Sequence, residues 1–114
     1  MPFRTAALII ATAHDFAIVR GERTLRAARW DDVVQVRAYK RDELTTDLIC
    51  LDVVLRDAST WFLHEEAPGW EDFLHAAERA LPGMRPFQAW FAEVSRPAFA
   101  RNETLLFERG APAA

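Results

Sequence analysis

The chain is short of several residue types, and each shortage closes off a class of protein. One cysteine among 114 residues leaves no internal disulfide to form, a usage that suits a reducing compartment. The four glycines are isolated from one another, so no glycine-rich phosphate loop is present. No apolar run reaches the roughly 18 residues that a bilayer-spanning helix needs. Basic residues do not dominate: 14 Lys and Arg stand against 17 Asp and Glu, a formal net charge of −3. A general nucleic-acid binder needs a basic surface to displace phosphate counterions, and this balance argues against one.

What is present is ordinary for a globular chain: 51% apolar and 27% charged residues, in a length that makes one domain, residues 1–114. Four Trp and eight Phe are many for that length and predict an aromatic core or interface. The charge is unevenly spread. Residues 1–41 carry eight basic and four acidic side chains, and residues 42–114 carry six basic and thirteen acidic ones. The two halves can therefore present faces of opposite sign.

The N-terminus has the outline of a signal peptide, with Arg4, an apolar stretch from Ala6 to Ile10 and Ala11-Thr12-Ala13. It is shorter than such leaders and carries a single positive charge, so it reads as a first strand. A cytoplasmic location is the expectation.

Alternation then predicts strands at Phe16–Arg20, Thr24–Arg29 and Val33–Lys40, the first two joined by a tight turn at Gly21-Glu22, where glycine allows positive φ. Residues 47–65 read as a hairpin. In it Ile49, Leu51, Val53 and Leu55 form one wholly apolar face, and Leu48, Cys50, Asp52, Val54 and Arg56 form a mixed, half-covered one. Trp61 and Leu63 share one side of the return strand, and Phe62 and His64 share the other.

Helical spacing begins at Trp70, with Phe73, Leu74, Ala77 and Leu81 as the apolar stripe of a helix over 69–81. Pro68 suits its entry, and Glu71 and Asp72 favour the positive end of its dipole. A second stripe, Phe87, Trp90, Phe91 and Val94, predicts a helix over 86–94, and Thr104–Glu108 reads as a final strand. Strands first and helices later argue an α+β fold with an antiparallel sheet of about six to seven strands, since parallel pairing would need long crossovers.

Residues 16–81 resemble the bacterial pleckstrin-homology-like domains. The resemblance rests on Phe16-Ala17-Ile18-Val19-Arg20-Gly21, on Ala28-Arg29-Trp30-Asp31-Asp32-Val33, on the long hairpin, and on Gly69-Trp70-Glu71-Asp72-Phe73 in a covering helix. It implies a curved sheet or partly open barrel capped by a C-terminal helix. About six strands precede the helix here, where that family has seven. The segment from Phe87 to Phe107 adds a helix and a strand beyond its usual end. The block Tyr39-Lys40-Arg41-Asp42 with Asp47-Leu48-Ile49-Cys50-Leu51 also resembles a small bacterial protein family that brings no activity with it.

No catalytic constellation stands out. His64-Glu65-Glu66 begins like a zincin helix, but position 68 holds Pro68 where the second histidine belongs, and His14 and His75 lie elsewhere. Ser59, Ser95 and Cys50 have no glycine elbow or positioned base beside them. Neither a metal, a cofactor nor an enzymatic activity is expected, and Cys50 reads as a small buried hydrophobe.

Two surfaces invite binding. The acidic half suggests a protein-binding module, for instance an immunity-type inhibitor that captures a basic toxin by electrostatic steering. Its candidate contacts are Asp42, Glu43, Asp47, Glu65, Glu66, Glu71 and Asp72. The basic half suggests an anionic small ligand or lipid headgroup held by Arg20, Arg26, Arg37 and Lys40, in keeping with the pleckstrin-like resemblance. A third reading is self-association as a homodimer through surplus aromatics.

Overall fold

The computed structural model describes residues 7–42, 47–96 and 101–110, with the side chain of Asp42 left out. Seven described strands and two helices follow the order the residue patterns imply. Strands β1 (Leu8–Ala11), β2 (Asp15–Arg20) and β3 (Arg23–Arg29) form an antiparallel three-stranded sheet in sequence order. A single 3₁₀ turn, Trp30–Asp32, leads to β4 (Val33–Asp42). This strand pairs with β5 (Asp47–Leu55), β5 with β6 (Thr60–His64), and the late strand β7 (Thr104–Glu108) returns to the free edge of β4. The second sheet is thus four-stranded in the order β6-β5-β4-β7. The two sheets stay separate, with no closed barrel among the described residues. Helices α1 (Trp70–Ala80) and α2 (Phe87–Ser95) lie between β6 and β7 in the chain.

The core forms where the three layers meet. Phe16 from β2, Trp30 from the 3₁₀ turn and Phe73 from α1 pack ring against ring, with centroids 4.4 to 5.4 Å apart. Trp61 from β6 closes the group edge-on to Phe16 at 4.8 Å. Such tilted and edge-to-face contacts suit aromatic quadrupoles better than flat stacking does. Ile49, Leu51, Val53 and Leu55 are all buried, as their alternation requires. All four tryptophans are buried, so the surplus of large rings is mostly interior, and Phe62 remains 70% exposed.

The helix entry is a tight fit. Gly69 adopts the left-handed conformation at φ 91° and sits against the backbone of Ile9, whose amide donates to the Pro68 carbonyl at 2.9 Å. Glu71 and Asp72 occupy the first turn of α1 and Arg79 the last, the arrangement the helix dipole favours. At the far end of α2, the Asn102 side-chain amide donates to the carbonyls of Glu93 and Arg96, closing off the helix terminus.

One strand departs from the surface role its charge suggests. Lys40 lies on the inward face of β4 with Val36 and Ala38 and is only 3% exposed. Its Nζ donates to the Ser95 carbonyl at the end of α2 at 2.9 Å and lies 3.3 Å from Asp47 Oδ2.

Candidate functional site

The seven acidic residues proposed as partner contacts divide into two groups. Asp47 turns toward the buried Lys40. Asp42 pairs with it across the ladder through the backbone, while the Asp42 side chain and Glu43 fall outside the described residues. Glu65, Glu66, Glu71 and Asp72 are all exposed where β6 hands the chain to α1. Glu65, Glu71 and Asp72 together line a shallow hollow of about 350 Å³ around Gly69 and Trp70. Glu65 also has a structural duty, because its Oε1 accepts the Ile49 amide at 3.0 Å and extends the β5–β6 ladder by one step.

Beside this hollow runs a groove of about 530 Å³ between α1 and α2. Its floor and walls are Trp70, Leu74, Phe87 and Phe91, and its carboxylates are Glu65, Glu71 and Glu78. Glu71, His75 and Glu78 stand four and seven residues along one face of α1, which turns all three toward α2. The Oε2 oxygen of Glu78 accepts the Phe87 amide at 3.2 Å and ties the two helices together at the start of α2. Phe87 and Phe91 stack at 4.7 Å, leaving Phe91 36% exposed at the rim. Among the described residues neither Lys nor Arg lines the groove, so the three carboxylates give it a negative potential over apolar walls. A second groove of about 550 Å³ lies on the other side of α1 against β1, where Asp72, His75 and Arg79 face Leu8 to Ala13.

Sequence reasoning named Glu65 and Glu71 among these residues but missed Glu78, His75, Phe87 and Phe91 as co-lining residues. The i, i+4, i+7 spacing of Glu71, His75 and Glu78 was the signal available. Glu78 lies off the apolar stripe of α1, yet it is half-buried because α2 docks over it.

The four basic residues expected to share an anion site do not meet. Arg37 faces outward on the four-stranded sheet, bonding Gln35 Oε1 at 2.9 Å and Glu103 at 3.3 Å. Lys40 faces inward to the core. Arg20 and Arg26 do share a face, together with Arg23. Arg20 pairs directly with Arg23 and Ile18 with Arg26, because a bulge between Ile18 and Val19 leaves Leu25 outside the register. Arg26 is partly committed, its guanidinium 4.6 Å over the Trp61 ring and its Nη1 donating to the Thr60 carbonyl at 3.3 Å.

The outward face of the four-stranded sheet carries the remaining unusual groups. Tyr39, Cys50 and His64 form one transverse row across β4, β5 and β6, and Leu105, Arg37, Asp52 and Phe62 form the next across all four strands. Tyr39 and Cys50 are buried here with Leu48 in a small apolar cluster. The Arg101 guanidinium lies 4.1 Å over the Tyr39 ring. Burial, reinforced by the neighbouring Asp52 carboxylate, pushes the Tyr39 hydroxyl up to about 12. In the β5–β6 turn, the Ser59 hydroxyl and amide both donate to Asp57 Oδ1, at 2.6 and 2.9 Å, and hold that carboxyl below its ordinary value.

No group of three or more His, Cys, Asp or Glu side chains among the described residues is arranged to hold a metal ion. No helix among them is long and apolar enough to cross a membrane. Comparison with protein-family models, with curated proteins and with solved structures finds no match to this chain.

Proposed function

We propose that this chain is a non-catalytic protein-binding module that receives a basic segment of a partner in the groove between α1 and α2. The observation that carries the reading is the composition of that groove, three carboxylates set over Trp70, Phe87 and Phe91 with no Lys or Arg among the described residues that line it. Aromatic walls contribute desolvation and cation–π attraction, and the acidic rim raises the capture rate of a cationic partner. Glu66 and Asp72 add exposed negative charge where β6 hands the chain to α1. An inhibitor of a basic toxin is one protein of this kind.

The test is affinity capture with the tagged chain beside a Glu66→Arg, Glu71→Arg, Asp72→Arg variant. The reading expects a stoichiometric basic partner, bound less tightly as salt rises and lost by the variant although it remains folded, its melting temperature lowered only by the loss of two favourable helix-dipole contacts. A partner retained by the variant, or one of acidic character, overturns it.

We also propose a pleckstrin-homology-like arrangement. Its support is a three-stranded and a four-stranded antiparallel sheet packed around the aromatic core, with α1 laid against them. Helix α2 and β7 are additions to that plan.

A second reading, an anion site on the β2–β3 hairpin, is favoured by one observation. Arg20 and Arg23 oppose each other directly on the face they share with Arg26, a like-charge pairing that an anion would relieve. Binding of inorganic phosphate or of anionic vesicles, abolished by Arg23→Glu, would support it, and the two probes separate a free phosphate from a membrane surface.

A further inference from the structure

The outward face of the four-stranded sheet leaves two large apolar side chains in solvent, one on each edge strand. Phe62 on β6 is 70% exposed and Leu105 on β7 is 38% exposed. Between them, on the central strands, lie Arg37 and Asp52, which are direct cross-strand partners. They form no ion pair with each other among the described residues, since Arg37 is drawn along β4 and β7 to Gln35 and Glu103. The Oδ1 oxygen of Asp52 accepts no hydrogen bond among them either, which is costly for a shielded carboxylate oxygen.

In strand order this row reads apolar, cation, anion, apolar. Read from the other end it is apolar, anion, cation, apolar, its own complement. We propose that this face binds a second copy of the chain through a twofold axis lying in the interface, parallel to the strands and between β4 and β5. That operation sets β4 against β5 of the second copy and β6 against its β7. Arg37 of each copy then meets Asp52 of the other, and Phe62 of each meets Leu105 of the other. Both charge pairs are satisfied at once, as an isologous contact requires. An axis perpendicular to the strands would instead set Arg37 against Arg37, so the charges select the symmetry. A two-sheet packing of this kind keeps strand directions close to aligned, which is how antiparallel sheets stack.

Four strands at about 4.8 Å spacing make a contact only about 19 Å wide. That is the small end of specific interfaces, the class of weak association, so self-association is sought at about 10–100 µM. The surface is separate from the α1–α2 groove, so a dimer and a bound basic partner are compatible.

Sedimentation equilibrium of the full chain across that concentration range tests the proposal. The wild type should show a reversible monomer–dimer equilibrium, and Phe62→Glu should leave only monomer. Arg37→Asp and Asp52→Arg should each weaken self-association by at least about tenfold, because each sets like charges face to face. The deciding result is their equimolar mixture. At one contact the introduced aspartate of the first variant faces the introduced arginine of the second. At the other contact the native Asp52 of the first faces the native Arg37 of the second. Opposite charges then meet at both, so a heterodimer should form where neither variant dimerises alone. Circular dichroism melts of each variant establish that it is folded. Should Asp52→Arg fail to fold, Phe62→Glu and Leu105→Glu, both at exposed positions, decide the matter alone. A wild type that stays monomeric, or a dimer indifferent to Phe62→Glu and Leu105→Glu, overturns the proposal. A folded pair of charge variants that shows no complementation overturns the proposed axis and the proposal with it.

Discussion

Gly69 abuts the backbone of Ile9 so closely that strand β1 and the first turn of α1 meet with no side chain between them. A methyl group at position 69 would overlap the Ile9 carbonyl oxygen and lie 2.9 Å from the carbonyl carbon. The two obstacles to substitution are independent: contact with fixed backbone, and a φ of 91° that a side chain disfavours by about 1–2 kcal/mol. The hydrogen bond from Ile9 to Pro68 depends on the same approach.

Gly69→Ala should therefore destabilise the fold by about 3 kcal/mol or more, above the common range for single substitutions. Urea denaturation of the variant measures this directly. A midpoint unchanged from wild type would mean that β1 is not held against the helix entry as described.

The opposite effect is expected one hairpin earlier. Ala58 occupies the left-handed region at φ 72° in the β5–β6 turn and is exposed. Glycine adopts that conformation without the Cβ penalty, so Ala58→Gly should stabilise the protein by up to about 1 kcal/mol even though it removes an atom. A raised thermal midpoint checks it, and Ala58→Val, which adds a branched side chain there, should lower the midpoint.

The chain has one tyrosine, so its ionisation can be followed alone by phenolate absorbance. Tyr39 is 9% exposed and neighbours the Asp52 carboxylate, and its hydroxyl should titrate at about 12 in the fold against an ordinary value of 10.0. The sign for stability follows. Below pH 10.0 both folded and unfolded chains hold the proton, and the contribution is fully present. Between 10.0 and about 12 the unfolded chain releases it first, so stability falls as pH rises through that window. Tyr39→Phe should remove this part of the alkaline loss. Asp52→Asn should bring the titration back toward the ordinary value by weakening the secondary cause while leaving burial in place.

The elements of the fold were legible because single local patterns determine them. Ile49 to Leu55 alternate without interruption, and Trp70 to Leu81 keep one helical stripe, so each segment had one face to bury. The acidic surface was half legible for a related reason: Glu71 and Asp72 are fixed by the helix start, but the groove they border exists only because α2 docks beside α1. That docking is a tertiary event, and neither Glu78 nor Phe91 announces it alone. The basic residues misled more. Arg20, Arg23 and Arg26 converge through a one-residue bulge at Leu25, and a register shift of one residue reverses which face a side chain takes. Arg37 and Lys40 were grouped by charge, although their odd spacing on β4 already set them on opposite faces.

Lys40 gives the strongest stability prediction, because its burial makes its partners matter. Lys40 is 3% exposed, and its ammonium donates to the last carbonyl of α2 and lies 3.3 Å from Asp47 Oδ2. Taking two charges out of water is costly, so such a pair adds little net stability, but removing one member leaves the other charge inadequately compensated. Lys40→Met should therefore cost about 3–5 kcal/mol, although methionine fills a similar volume. Adding Asp47→Leu should recover most of that loss, giving a large favourable coupling between the two substitutions in a double-mutant cycle. Part of the loss should persist in the double variant, since the Ser95 carbonyl still lacks its donor and the end of α2 is left to the Asn102 amide. Four urea denaturation curves complete the measurement. A Lys40→Met cost below about 1 kcal/mol, with no recovery on adding Asp47→Leu, would mean that the ammonium reaches water and that this corner of the core is open.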